Sequence, residues 1–205
     1  MYFDYGEQET EYLKNSDRRL CEIINKFGHI NHEVNKDIFC SIAYLIIGQQ
    51  ISTKAQQAIW KRVTDSLECV NAESVIASGT DCLHSCGVSY RKAEYIMDCA
   101  LKIKSGEFDL THIAQKTDEE AVKELTKLKG IGVWTAEILL LFCFMRKNIF
   151  CYDDLGIQKG LRIVYNHKKI TKELFEKYRK RFSPYCSVAS LYLWAAADDA
   201  RVNRL

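Results

Sequence analysis

The chain has 205 residues, 47% of them hydrophobic, and a formal net charge of +2. That length allows a sizeable core in one or two lobes, and so small a net charge excludes overall basicity as an argument for nucleic-acid binding. Nine dispersed cysteines, an odd number, read as free thiols of a reducing, cytoplasmic compartment rather than as a disulfide framework. The N-terminus carries Asp4, Glu7, Glu9 and Glu11 before its first lysine, Lys14, which is not the profile of a signal peptide. No apolar run reaches membrane-spanning length. Cys82 and Cys86 have no second pair nearby, so no zinc site is expected there.

In chain order, helical spacing predicts one long helix over 8–27, with Leu13, Leu20, Ile23, Ile24 and Phe27 facing inward. A strongly apolar helix follows over 37–47, then a helix over 54–67 capped by Ser52 or Thr53. A short helix over 72–77 precedes a turn-like stretch at 82–87. Ser89 opens a helix to about Lys104, and Asp109 or Thr111 begins a short segment to Ala114. The sequence Thr117-Asp118-Glu119-Glu120 is a capping box that starts a helix leading to Leu128. Thr135 and Ala136 open a second, very apolar helix. Further helices are predicted over 155–165, 171–182 and 188–201. Strand-type alternation is sustained nowhere, so the fold class is all-α.

The stretch from Leu125 to Asp154 carries the functional argument. Gly130 and Gly132 bracket a short turn around Ile131, and two glycines this close permit positive φ and near backbone contact. The amides at the start of the following helix, together with its dipole, form an anion site that suits a DNA phosphate. The plainer reading is a hairpin that only turns a corner. A carboxylate pair, Asp153-Asp154, follows, and either member can also serve merely as a helix cap. From 155 to 181 there are nine Lys/Arg against two Glu, a local net of +7 (9 − 2). That segment suits a phosphate-facing surface or simply a solvated helix face.

The run Leu-x-x-Leu-x-Gly-Ile-Gly-x-x-Thr-Ala before a long apolar helix and a carboxylate pair resembles the helix-hairpin-helix Gly/Pro-Asp DNA glycosylase superfamily. Residues 46–52 (Ile-Ile-Gly-Gln-Gln-Ile-Ser) and 87–94 (Gly-Val-Ser-Tyr-Arg-Lys-Ala-Glu) resemble the opening and middle motifs of its 3-methyladenine DNA glycosylase II branch. The resemblance covers roughly 37–200. It implies a single two-lobed helical unit with a cleft between the lobes and no N-terminal β domain. One lobe spans about 33–150 and contains the hairpin (about 119–145); the other combines about 1–32 with 151–205.

The resemblance also implies a function: a monofunctional DNA glycosylase of base excision repair, hydrolysing the N-glycosidic bond of flipped, 3-methyladenine-type alkylated purines. The alternatives are excision of hypoxanthine, uracil or oxidised bases, or a non-catalytic DNA-binding hairpin module. Asp154 takes the catalytic register, with Asp153 its runner-up. Trp134, Trp194 and Tyr152 are the expected base-pocket aromatics, since electron-rich rings stack on cationic bases. Gln50 is the expected DNA wedge, with Gln49 as a neighbour able to take either role. Lys129, Gly130, Ile131, Gly132, Val133 and Thr135 are the expected phosphate-binding residues, Arg91 or Lys92 a further phosphate contact, and hairpin carbonyls can hold a monovalent cation. Trp134 stands where lyase-active relatives place a nucleophilic lysine, so no lyase activity is expected. Cys186 is the sole cysteine after Cys151, so no iron–sulfur cluster is expected. The expected partner is double-stranded DNA with a damaged base, bound by a monomer without membrane attachment and at the nucleoid of a bacterial-type cytoplasm.

Overall fold

A computed structural model of the chain describes residues 1–202 and is all-helical. Those residues form twelve helices and no strand, only an isolated bridge between Tyr2 and Glu33. Among them, no helix is long and apolar enough to cross a membrane. All nine cysteines are free thiols; Cys99 and Cys143 are buried, whereas Cys40 is half-buried. The chain divides into two compact units: Met1–Val34 with everything from Met145 onward, and Asn35–Phe144.

The first unit begins with α1 (Glu7–Ser16) and α2 (Arg18–Phe27). The single helix expected over 8–27 is therefore broken. Asp17 sits between the two in extended backbone (φ −152°, ψ 118°), and its carboxylate accepts from the Leu20 amide as the cap of α2. Its other oxygen pairs with Arg181 at 2.6 Å, so a distant cation holds the break open. Leu13, Leu20 and Ile24 are buried as expected, while Ile23 and Phe27 are only partly covered.

The second unit runs from α3 to α9. Asp37 caps α3 (Ile38–Gly48), and Ser52, rather than Thr53, caps α4 (Thr53–Leu67). Asn71 caps α5 (Ala72–Ser85), which extends through the stretch expected to be a turn; Gly79, at φ 77°, kinks it without ending it. Next come α6 (Tyr90–Ser105), the short α7 (Leu110–Ile113) and α8 (Asp118–Leu125), the last opened by the expected Thr117–Glu120 capping box. Helix α9 (Val133–Phe142) starts two residues before the expected Thr135 and is apolar nearly all round, with Ala136, Leu139, Leu140 and Leu141 fully buried. Such a helix belongs inside its unit rather than on its surface.

The chain then returns to the first unit as α10 (Leu155–Tyr165), α11 (Lys172–Phe182) and α12 (Cys186–Val202). Tyr192, Phe175 and Phe182 are the largest side chains fully buried here. Each contributes on the order of 2 kcal/mol through burial alone.

Candidate active site

The two adjacent carboxylates have different fates. Asp153 is exposed, whereas Asp154 is 7% exposed and is the N-cap of α10. Its Oδ1 accepts the Ile157 amide at 2.8 Å, closing the first turn, and also accepts the Trp194 indole N–H at 2.8 Å. Capping alone would leave the carboxylate free to rotate about its partner. A second donor from another helix fixes its plane, as a carboxylate must be fixed if it is to face charge developing on a sugar.

This contact depends on how closely α10 and α12 approach. Gly156 and Gly160 lie four residues apart, on one face of α10. A Cβ at Gly156 would stand 2.6 Å from Trp194 Cδ1 and 3.1 Å from Asp154 Oδ1. A Cβ at Gly160 would collide with the backbone of Leu193. The two glycines bring the backbone of α12 against α10 and leave room for the indole beside the carboxylate. Lys159 adds a tie from its ammonium to the Ala197 carbonyl at 2.6 Å. The His32 ring lies tilted against the indole, centroids 6.3 Å apart.

In the second unit, the turn between α8 and α9 is built by burying its apolar members. Leu125, Leu128 and Ile131 are inside, while Lys129, Gly132 and Val133 face solvent. The Ile131 amide donates to the Leu128 carbonyl at 3.1 Å. Gly130 needs its glycine twice over: φ is +82°, and a Cβ would stand 2.5 Å from the Tyr95 ring. Gly132 needs it for neither reason. It caps α9 at φ −90°, and nothing among the described residues lies within 4 Å of an added Cβ. Of the two glycines, which together permit positive φ and close backbone contact, Gly130 alone uses that freedom. The first i→i−4 bond of α9 runs from the Ala136 amide to the Gly132 carbonyl, so the amides of Val133, Trp134 and Thr135 precede the helical ladder.

A family model for the HhH-GPD superfamily of base excision DNA repair proteins matches residues 43–184. The chain belongs to this superfamily. It is similar to DNA-3-methyladenine glycosylase 1 of Schizosaccharomyces pombe, at 28% identity over 188 residues covering 89% of this chain and 82% of that protein. The solved DNA-3-methyladenine glycosidase of Bacillus halodurans superimposes with a TM-score of 0.84 at 31% identity, covering 98% of this chain and 94% of that one. The S. pombe 3-methyladenine DNA glycosylase Mag1, solved in complex with abasic DNA, superimposes at 0.80 with 26% identity, over 91% and 95% of the two chains.

Within this HhH-GPD chain the residues expected to act fall into two groups. Asp154 and Trp194 meet in the first unit, together with Gly156. Tyr152 shares that unit, but its ring lies edge-on to Phe175 (5.2 Å) with the Lys172 ammonium over it, rather than against Trp194. The hairpin residues and Trp134, at the second position of α9 and half-buried, belong to the second unit. Thr135 is 4% exposed, so its side chain is packed inside and only its main chain can serve an anion. Lys129 is paired with Asp98 at 2.8 Å, a contact that raises the lysine's pKa and lowers that of the aspartate.

Gln49 and Gln50 separate clearly. The Gln49 amide donates to the Gly130 carbonyl at 2.7 Å, tying the end of α3 to the hairpin. Gln50 is exposed and holds φ +58°, a region that non-glycine residues rarely occupy. Lys92, expected as a possible phosphate contact, instead donates to the Ile47 and Gln49 carbonyls at 2.9 and 2.7 Å, and burial lowers its pKa. It is a cation capping the C-terminus of α3. Arg91 donates to Tyr95, the ring that seats Gly130.

Four residues escaped the reading of the sequence: Gly156, Gly160, Tyr95 and His32. The spacing of the two glycines on a helix was available as a signal. For Tyr95 and His32 there was none, because each acts through a partner distant in sequence.

Proposed function

We propose that this chain is a monofunctional DNA glycosylase that hydrolyses the N-glycosidic bond of alkylated purines in double-stranded DNA, with Asp154 as the catalytic carboxylate. The observation that carries the proposal is the pinning of Asp154 Oδ1 by Trp194 Nε1 on one side and Ile157 N on the other. Departure of the base leaves positive charge on the sugar, and a fixed, buried carboxylate stabilises that charge or orients and deprotonates water. Trp194 offers its ring to the extruded base, whose alkylation makes it cationic and a better leaving group. The names of the similar proteins support this substrate class.

The amides of Val133 to Thr135, beside Gly130 and Gly132, would hold a backbone phosphate and set register without reading sequence. Gln50 would fill the space left by the flipped nucleotide, since its side chain is exposed and Gln49 is already engaged. A monovalent cation fits the hairpin as well. The Leu128 and Gly130 carbonyls each accept one hydrogen bond and keep a second lone pair, and the ion would offset phosphate charge. An iron–sulfur cluster does not fit: the Cys186 thiol donates to the Arg179 carbonyl, and burial raises its pKa to about 12, which opposes the thiolate a cluster needs. Trp134 in the lysine register removes the Schiff-base route.

The experiment is base release from duplexes carrying single lesions, followed by strand scission with and without alkali. The expected result is free alkylated purine and scission only after alkali. Borohydride trapping of a covalent adduct would refute the monofunctional assignment.

A further inference from the structure

The C-terminus of α3 is tied by side chains from other elements, and the ties converge on the backbone that carries Gln50. The last carbonyls of a helix have no partner within it. Here the Tyr44 carbonyl accepts from Gln56 Nε2 at 2.9 Å, the Ile46 carbonyl from the Gln49 amide at 3.3 Å and the Gly48 carbonyl from the Ile51 amide at 3.5 Å. The Ile47 and Gln49 carbonyls both accept from Lys92 Nζ on α6, at 2.9 and 2.7 Å. One ammonium thus spans Gly48, taking an oxygen on either side of it. Its charge strengthens both bonds and suits the negative end of the helix dipole. Lys92 is half-buried, and burial lowers its pKa, so the chain keeps a cation where desolvation opposes it.

The Gln49 oxygen belongs to the peptide unit that also carries the Gln50 nitrogen, so Lys92 sets the tilt of that plane. Beyond it Gln50 turns to φ +58°, which a glutamine holds only where its surroundings impose it. The Gln49 side chain reaches the Gly130 carbonyl at 2.7 Å and joins the same loop to the hairpin. All of these residues lie in the second unit, and the exposed Gln50 side chain is what the ties present to solvent.

We propose that Lys92 is a positioning residue: by holding the Ile47 and Gln49 carbonyls it keeps Gln50 in its left-handed backbone conformation, ready to enter the duplex, and in register with the hairpin. This rests on the reading of Gln50 as the wedge of a DNA glycosylase. Without the ammonium, the loop samples other conformations and must be ordered again each time a base is extruded. A lysine that only capped α3 would act on stability alone.

The test is single-turnover excision of 7-methylguanine, placed opposite cytosine or in a mismatch, with uncatalysed depurination subtracted. It uses wild type, Lys92→Met, Gln50→Ala and the double variant, each confirmed folded by circular dichroism. Lys92→Met keeps the apolar stem and removes the charge and the donors. It should slow excision of the paired lesion about tenfold, the loss of roughly one charge-assisted hydrogen bond. The loss should be much smaller in the mismatch, where extrusion is easier. The double variant should be no slower than Gln50→Ala, because a lysine acting through Gln50 has nothing left to position. No loss, an equal loss on both duplexes, or a double variant whose losses multiply overturns the positioning role and leaves the glycosylase and wedge readings intact. Equal rates on both duplexes in Gln50→Ala remove the wedge, and this proposal with it. A wild type that releases the base from neither duplex overturns the glycosylase reading as well. Should Lys92→Met not fold, Lys92→Gln, which keeps a neutral donor, is read against the same outcomes.

Discussion

The indole nitrogen of Trp194 donates to Asp154 Oδ1 at 2.8 Å, and the same oxygen caps α10. One carboxylate therefore serves both folding and the proposed chemistry, and the two roles can be pulled apart. An asparagine side-chain oxygen can accept both hydrogen bonds, so Asp154→Asn should fold with little change in melting temperature. It removes the negative charge, and base release should fall by about 10²–10⁴-fold. Lesion-duplex affinity, measured by fluorescence anisotropy, should persist. Wild-type excision rates in this variant would remove Asp154 from the mechanism.

Trp194→Phe separates orientation from stacking. The ring remains, but Oδ1 loses one of its two donors, and hydrogen bonds to charged acceptors contribute roughly 1.5–3 kcal/mol. The expected outcome is a lower kcat with a KM close to wild type in single-lesion kinetics. A rise in KM alone would mean that the indole serves binding and not the carboxylate.

Gly160→Ala should be among the more damaging single-methyl additions in the chain. The added Cβ meets the Leu193 backbone, which cannot rotate away as a side chain can. A cost of about 1–3 kcal/mol is expected from overpacking, read as a drop in thermal midpoint. Gly156→Ala meets the Trp194 ring instead, so it should disturb excision more than its stability loss accounts for.

These contacts also mark where the sequence was legible. Helix starts at Asp37, Ser52, Thr117 and Asp154 could be read because each cap bonds an amide only three residues away. The break at Asp17 could not, since Arg181, 164 residues away, secures it. The kink at Gly79 was hidden because glycine marks a change of direction without saying whether the helix resumes. Family register favours Asp154 over Asp153, and a difference in burial that the sequence does not show separates the two, Asp154 being buried and Asp153 exposed. His32 was beyond reach, because a lone histidine among turn residues carries no pattern that points to a tryptophan far along the chain.

Gln49 and Gln50 should respond oppositely to truncation. Gln49→Ala leaves the Gly130 carbonyl without its amide partner and should destabilise the protein by about 1 kcal/mol, visible in denaturant melts. Gln50→Ala removes an exposed side chain and should leave stability unchanged while slowing excision from fully paired duplexes. The defect should shrink when the lesion sits in a mismatch, because an unpaired base is easier to extrude. Equal excision rates on both substrates would show that Gln50 is not the wedge.

The hairpin glycines give a paired test of the anion site. Gly130→Ala must hold alanine at φ +82° with its methyl against Tyr95, so a loss of about 1–3 kcal/mol in stability is expected, accompanied by weaker DNA binding. That result alone cannot distinguish a distorted turn from a blocked site. Gly132→Ala can, because its backbone is extended and nothing among the described residues lies near the new methyl. Its melting temperature should match wild type. If a phosphate does sit over the first amides of α9, the methyl intrudes on it. Duplex affinity should then fall several-fold, and the slope of log affinity against log salt should become shallower by close to one phosphate contact. Unchanged affinity in this variant would leave the turn as a structural corner and move the phosphate site elsewhere.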